Sequence, residues 1–133
     1  MSSKTIVLAD DEAHITHVLR LKFEGKGYRV HVAADGQEAF ELVIEHRPDL
    51  VITDLQMPVC SGYELAVMMR GDARVSQTPV IMLTARGHTL SKEEIGQTNI
   101  RHLLPKPFSA REVEGLVAEI FASEARASGN LAA

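Results

Sequence analysis

The sequence predicts an α/β fold in which helices cover a parallel sheet of five strands. Short apolar runs alternate along the chain with stretches whose apolar residues recur at helical spacing, which is the pattern of consecutive βα units. The length of 133 residues and the 45% hydrophobic content are typical of one soluble domain with its own core. No internal repeat or linker divides the chain, so we expect a single globular unit.

The predicted strands are short and mostly apolar throughout, as expected for strands that are buried on both faces of a parallel sheet. The second is the exception, because polar and apolar residues alternate from Tyr28 to Val32, and this alternation is typical of an edge strand with one wetter face. In chain order, the strands are predicted at residues 5–9, 28–32, 50–53, 80–84 and 101–104.

An amphipathic stretch follows each predicted strand. The first is stopped by Gly25. The fourth has Ile95 among its few apolar anchors and is expected to be short and mobile, and Ser109 caps the last. The helices are predicted at about residues 12–24, 38–45, 62–70 and 91–97, with the last beginning after residue 109.

Charged residues fall at the ends of three predicted strands. Asp10 and Asp11 follow the first strand, Asp54 follows the third, and Lys106 follows the fifth. Because the carboxyl ends of parallel strands lie at one edge of the sheet, we expect an acidic pocket with a cation beside it, and Thr84 joins this edge from the fourth strand. Carboxylate oxygens suit Mg²⁺, and the amine can hold a phosphoryl oxygen.

Each of these residues also has a plainer interpretation. An acidic pair after a strand is typical of a solvated helix N-terminus, and Lys106 also fits as a structural counter-ion of the acids. Thr84 and Pro107 alone indicate no more than a strand end and a turn. Asp54 differs, because a carboxylate that ends a central apolar strand loses its hydration unless a cation offsets that loss. The functional interpretation is therefore strongest for Asp54.

Composition excludes several other classes of protein. The formal net charge of -4 and the pI near 5.8 argue against direct binding of nucleic acid, because modules that bind it usually carry a basic patch. The single cysteine, Cys60, cannot form an internal disulfide, no apolar stretch approaches membrane-spanning length, and residues 1–4 lack the apolar core of a signal peptide. We expect a cytoplasmic protein without membrane contact.

Taken together, the motifs resemble the receiver domain of bacterial two-component response regulators, in its chemotaxis-regulator-like form. The resemblance covers residues 4–122, and its motifs are weak singly but specific in this order at these strand ends. It implies a flavodoxin-like three-layer α/β/α sandwich with strand order 2-1-3-4-5 and five helices, and residues 123–133 are expected to form a frayed C-terminal extension. The motifs are Asp10-Asp11-Glu12, Asp54-Leu55-Gln56-Met57-Pro58 with Gly62, Thr84-Ala85, and Lys106-Pro107-Phe108.

The resemblance implies a signalling switch that assists its own phosphorylation and dephosphorylation, rather than an enzyme acting on an external substrate. Asp54 would accept a phosphoryl group from a sensor histidine kinase or a histidine phosphotransfer protein. Mg²⁺ would be held by Asp11, Asp54 and the backbone carbonyl of Gln56, while Asp10 positions a metal-bound water. The remaining implied site features are the phosphoryl-binding residues Lys106 and Thr84 and a cis peptide bond before Pro107.

The residues expected to transmit the signal depart from the family pattern. Leu103 stands where the family usually has an aromatic residue, so the switch is expected to use the packing of Leu103 or the loop that begins at Arg86. Arg101, His102 and Leu116 replace the charges of a dimer that many receivers form. We therefore expect a monomer or weak homodimer, whose last two helices and fifth strand control a partner or an attached output module.

Two other classes of protein compete with this interpretation. A haloacid-dehalogenase-like phosphatase also uses an Asp nucleophile, Mg²⁺, a hydroxyl and a Lys, but its nucleophile follows the first strand and a second Asp lies two residues on. Here Asp54 is followed two residues on by Gln56, and no cap insertion is visible. A receiver-like scaffold without phosphorylation is disfavoured because all the chemical residues are present.

Overall fold

The computed structural model describes residues 4–85 and 90–132, with side chains described up to residue 126. Its strands form one parallel sheet in the order β2-β1-β3-β4-β5, which confirms the predicted topology and places the second strand at an edge. The strands are β1 (Thr5–Ala9), β2 (Arg29–Ala33), β3 (Leu50–Asp54), β4 (Val80–Thr84) and β5 (Ile100–Pro105).

The described residues form five helices. The fourth is a single short turn of five residues without a buried side chain, as its weak amphipathic pattern predicts. No helix in this part of the chain is both long enough and apolar enough to cross a membrane. The helices are α1 (Ala13–Gly25), α2 (Gly36–His46), α3 (Gly62–Arg70), α4 (Lys92–Gly96) and α5 (Ala110–Ala132).

The sheet separates two hydrophobic clusters, so the three-layer α/β/α arrangement is confirmed. On one face, Val51 and Met82 of the central strands pack with α2 and α3, and Leu65 is among the buried contacts. On the other face, Ile52 packs with α1 and α5, where Phe23 is fully buried. The central strands β3 and β4 are buried along their whole length, which explains their continuous apolar sequences.

Helix α5 begins where the sequence predicts and ends later. The Ser109 hydroxyl accepts a hydrogen bond from the Glu112 amide, and the Ser109 amide donates one to the Glu112 carboxylate, so the two residues form a capping box. The helix then continues to Ala132, so most of the stretch 123–133, predicted to fray, is helical. Repeated alanines, the best helix formers, explain the continuation. The domain boundary at residue 122 stays a prediction.

Candidate functional site

Neighbouring strands deliver the candidate residues to one edge of the sheet. Asp10 directly follows β1, Asp54 ends β3, Thr84 ends β4, and Lys106 directly follows β5. These strands are adjacent in the order β1-β3-β4-β5, with Asp54 level with Leu83 in the register of β3 and β4. The parallel topology therefore brings together residues that are far apart in the sequence.

The acids form a compact cluster of oxygen ligands. One carboxylate oxygen from each of Asp10, Asp11 and Asp54 lies within 4.8 Å of the other two. Asp10 and Asp54 are buried, while Asp11 is exposed. The backbone amide of Glu12 donates to Oδ1 of Asp10 at 2.9 Å, which fixes the orientation of that carboxylate. The cluster is thus buried at its base and open to solvent on the side of Asp11.

Lys106 is the cation of the site and contacts three carboxylates. Its Nζ lies 2.9 Å from Oε1 of Glu12, 3.3 Å from Oδ2 of Asp10 and 3.5 Å from Oδ2 of Asp54. Its backbone amide donates to the Thr84 carbonyl at 2.7 Å, so the start of the β5–α5 loop is tied to the end of β4. The peptide bond between Lys106 and Pro107 is cis, as the family resemblance implies.

Burial and charge act in opposite directions on the acids of this cluster. Burial raises the pKa of Asp54 above its usual value, the positive charge of Lys106 partly offsets this increase, and the negative charge of Asp11 adds to it. The pKa of Asp10 is also raised, again mainly by burial. For Lys106, burial favours the neutral form, but its contacts with Glu12, Asp10 and Asp54 outweigh burial and raise its pKa. The buried acids of this cluster therefore carry partly unfavourable negative charge.

The loop after Asp54 is held in place by close backbone packing. The Gly62 amide donates to the Leu55 carbonyl at 2.9 Å, and a Cβ at Gly62 would come within 2.1 Å of the backbone oxygen of Asp54. On the other side of the loop, Gly36 contacts the Cys60 carbonyl so closely that a Cβ there would lie 2.3 Å from it. Larger residues at these two positions would displace the loop that carries Gln56.

Chemically, the donor set fits a hard divalent cation. Three carboxylates supply only oxygen ligands, one side of the cluster is open for water or a substrate oxygen, and the buried acids lack full charge compensation from Lys106. A cation bound there would lower the electrostatic cost of a further anionic group on Asp54. The residues that could hold it are Asp10, Asp11, Asp54 and the exposed loop residue Gln56.

The structure brings together most of the residues that the sequence singles out. Thr84 is buried at the end of β4, and Leu103 is partly buried against the cluster on the α2–α3 side of the sheet. Arg86 lies outside the described residues. Arg101, one of the residues that replace the charges of the dimer that many receivers form, pairs with Glu124 of its own chain at 2.7 Å. Sequence reasoning missed the ion pair between Glu12 and Lys106, for which the only signal was a third acid after Asp11.

A groove lies beside this cluster, between α1 and the loop that follows β5. Its volume is about 550 Å³, and Glu12 and Lys106 form part of its wall. The remaining wall is mainly apolar, and Val18 and Leu21 leave more than half of their surface exposed on α1. The apolar wall residues are Ile15, Val18, Leu19, Ala85, Pro107, Phe108 and Ala110.

Comparison with known sequences gives a consistent relationship. A family model described as the response regulator receiver domain matches residues 6–118. The transcriptional regulatory protein SrrA of Staphylococcus aureus (strain NCTC 8325 / PS 47) is 36% identical over 111 residues, which are 84% of this chain and 45% of SrrA. The chain thus spans less than half the length of the curated relatives that it matches.

Solved structures show the same fold over at least 90% of this chain. The chemotaxis response regulator CheY4 of Vibrio cholerae superposes with a TM-score of 0.81 at 28% identity, covering 90% of this chain and 99% of that one. The receiver domain of the sensor histidine kinase PA1611 from Pseudomonas aeruginosa PAO1, with a magnesium ion in its active site cleft, gives a TM-score of 0.79 at 26% identity, covering 91% and 99%. Because the family model matches most of its length, this chain belongs to the response regulator receiver domains of two-component systems.

Proposed function

We propose that the protein is a phosphorylation-dependent switch that accepts a phosphoryl group on Asp54 from a phosphohistidine of a sensor kinase or phosphotransfer protein. The observation that carries the proposal is the position of Asp54. Its carboxylate ends a central buried strand, lies beside two further acids and has the ammonium of Lys106 at 3.5 Å. This arrangement combines a carboxylate nucleophile with groups that can neutralise a transferring phosphoryl group.

In the proposed step, an oxygen of Asp54 attacks the phosphorus atom and forms an acyl phosphate. The phosphorus–nitrogen bond breaks, its electron pair stays on the imidazole nitrogen, and the ring leaves neutral when its other nitrogen carries a proton. Lys106 donates a hydrogen bond to the phosphoryl oxygen on its side, and the Thr84 hydroxyl reaches a phosphoryl oxygen from the neighbouring strand end. Asp10, fixed by the Glu12 amide, orients water at the acidic base of the site.

We assign Mg²⁺ as the cofactor, held by Asp11, Asp54 and the backbone carbonyl of Gln56, with Asp10 acting through water. When bound, the ion supplies positive charge that offsets the repulsion between the acidic cluster and the incoming phosphoryl group. Support for this assignment comes from the all-oxygen donor set and from the uncompensated charge on the buried acids.

A protein donor fits the surface around Asp54 better than a small molecule does. The groove beside Lys106 is open and mainly apolar, and Val18, which lines it, leaves more than half of its surface exposed, as does Leu21 further along α1. An apolar surface that borders an acidic site is suited to a helix that presents a histidine next to apolar residues. Hydrolysis of the acyl phosphate would reset the switch.

The output surface is proposed to be the face formed by α4, β5 and α5. Leu103 packs against the same hydrophobic cluster as Leu90 and Ile95, which flank and form α4, so a shift of Thr84 toward the phosphoryl group would alter this packing. The target is a partner protein or an attached effector domain, as the name of SrrA, a transcriptional regulatory protein, suggests for that relative.

The decisive experiment is to incubate the protein with acetyl phosphate, with Mg²⁺ or with EDTA, and to measure phosphoryl incorporation by intact mass. We expect Mg²⁺-dependent incorporation that hydroxylamine removes and that Asp54→Asn abolishes. Asp72→Asn is the matched control, because it makes the same chemical change in the turn after α3, outside the acidic cluster, and should incorporate phosphoryl like the wild type. A folded wild type that stays unmodified would contradict the proposal and favour a scaffold role.

A further inference from the structure

The ammonium of Lys106 is shared among three carboxylates, and it donates hydrogen bonds to two of them, Glu12 and Asp10. An ammonium group has three donors, and three carboxylate oxygens lie within 3.5 Å of Nζ, one each from Glu12, Asp10 and Asp54. The shortest of these distances, 2.9 Å, is to Glu12. Phosphorylation converts the Asp54 carboxylate to an acyl phosphate, so a phosphoryl oxygen can replace it as the third partner of Lys106. The hydrogen bonds to Glu12 and Asp10 then restrain the movement of the ammonium toward that oxygen.

Burial indicates which of these two hydrogen bonds is released more easily. The side chain of Asp10 is 2% exposed, whereas that of Glu12 is 47% exposed. A carboxylate that leaves Lys106 and stays buried would be costly, but the Glu12 carboxylate can turn to water at little cost. Asp10 is also held by the Glu12 amide. Glu12 is thus the partner that Lys106 can release most easily.

We infer that Glu12 is a positioning residue that holds the ammonium of Lys106 away from the phosphoryl position and is displaced when the phosphoryl group arrives. This inference rests on the proposed function. Glu12 does not touch the reacting atoms in this assignment; it sets how readily Lys106 becomes available to them. Its effect is to slow phosphoryl acceptance and to lower the affinity of the site for a phosphoryl group.

The position of Glu12 allows its side chain to be changed without disturbing the fold. It is the N-cap residue of α1, but its side chain makes no capping hydrogen bond. Glu12→Ala removes both the charge and the contact. Glu12→Asp keeps the charge but shortens the side chain by one methylene, and an aspartate at an N-cap tends to bind the amides of its own helix. The pair of variants therefore separates the contact with Lys106 from a general effect of charge.

The test is the rate of phosphoryl incorporation from acetyl phosphate in saturating Mg²⁺, together with the binding of beryllofluoride measured by calorimetry, for wild type, Glu12→Ala and Glu12→Asp. We expect both variants to react faster and to bind beryllofluoride more tightly, by about two- to fivefold, the scale of a half-exposed ion pair. In a Lys106→Ala background, the same changes at Glu12 should have no effect on either quantity, because Glu12 acts through Lys106.

Each other outcome overturns a distinct statement. If the wild type is phosphorylated but only Glu12→Ala reacts faster, general charge repulsion explains the effect and the positioning role is wrong. An unchanged rate in both variants, or an effect of the same size without Lys106, also overturns the role while leaving Asp54 as the acceptor. If the wild type accepts no phosphoryl group and binds no beryllofluoride, both the proposed function and this inference fall.

Discussion

Lys106 and Glu114 each lie at the centre of a small charge cluster, yet the two clusters are built in opposite ways. At the sheet edge, one cation is shared by Glu12, Asp10 and Asp54, two of which are buried. Between α1 and α5, one acid is shared by two half-exposed lysines, with Glu114 at 3.1 Å from Lys22 and 2.9 Å from Lys26.

The difference shows in the pKa values of the acids. The hydrogen bond from Lys26 and the charge of both lysines hold the pKa of Glu114 below its usual value, as expected for an acid with two cationic partners. Burial raises the pKa of Asp54 and Asp10 in spite of Lys106. Perturbation in the unfavourable direction is typical of a functional site, whereas the α1–α5 cluster has the properties of a structural tie.

The largest expected difference between the two clusters appears when one cation is removed from each. Lys106→Ala leaves two buried carboxylates without their counter-charge, so we expect the free energy of unfolding in EDTA at neutral pH to fall by about 1–3 kcal/mol. Lys26→Ala should cause a much smaller loss, because Glu114 keeps Lys22. Urea denaturation measures both, and added Mg²⁺ should restore most of the stability lost in Lys106→Ala. Equal losses in the two variants would contradict the distinction.

A change of opposite sign is expected when an acid is removed from the site. Asp54→Asn eliminates an unfavourable buried charge, so it should raise the free energy of unfolding of the metal-free protein, on the order of 1 kcal/mol. Mg²⁺ should then stabilise the wild type more than the variant. Thermal denaturation with and without EDTA gives both comparisons, and Asp72→Asn, which weakens the hydrogen bonds that Arg74 donates to this side chain, should show no gain.

The pH dependence of that gain follows from the direction of the shift. The folded pKa of Asp54 lies above the usual value of 3.8. At a pH between these two values, the folded protein therefore holds a proton on Asp54 that the unfolded chain has lost. The penalty is present in full above the folded pKa and is relieved as the pH falls through it. The advantage of Asp54→Asn over wild type should therefore shrink on acidification and be absent below about pH 3.8. A gap that widens toward acid would contradict the raised pKa.

Much of the site could be predicted because it depends on the backbone. Apolar runs locate the strands, and the rule that parallel strands end at one edge brings Asp10, Asp54 and Lys106 together. The contact between Glu12 and Lys106 could not be predicted in the same way. It joins residues 94 positions apart through the rotamers of two long side chains, and a pattern of residue types carries no information about those rotamers.

In the part of the chain that the structure describes, two residues other than glycine have a left-handed backbone conformation, one in the loop after Asp54 and one at the end of α2. Val59, in the loop after Asp54, has φ of 70° and is 82% exposed, while Arg47 ends α2 with φ of 45°. A left-handed residue is ordinary at a helix C-cap, but a β-branched residue in that conformation is strained. No pattern in the sequence predicts this at Val59. The strain, like the unfavourable charge, lies next to the site.

Replacement by glycine tests where the strain lies. Val59→Gly should raise the free energy of unfolding by about 1 kcal/mol, because the steric penalty of a valine at positive φ exceeds the entropic cost of glycine there. Arg47→Gly is the matched control and should give a smaller gain, about 0.5 kcal/mol, since the unbranched arginine loses less in this conformation. Chemical denaturation of both variants decides the comparison. A larger gain at Arg47 would show that the strain is not concentrated beside the site.

The smallest expected effect comes from the α1–α5 cluster itself. Glu114→Gln removes the acid that ties the two helices, and we expect a slight loss of stability that fades as salt is added, because both lysines are half-exposed. Its pH dependence should be the reverse of that of Asp54. The contribution of Glu114 is present above its usual pKa of 4.5 and is lost as the pH falls through the lower folded value. At neutral pH the wild type should have a higher free energy of unfolding than Glu114→Gln, whereas Asp54→Asn should have a higher one than the wild type. Both differences should shrink in acid. If Glu114→Gln instead stabilised the protein, this cluster too would carry unfavourable charge, and pKa direction would no longer distinguish the site from the scaffold that supports it.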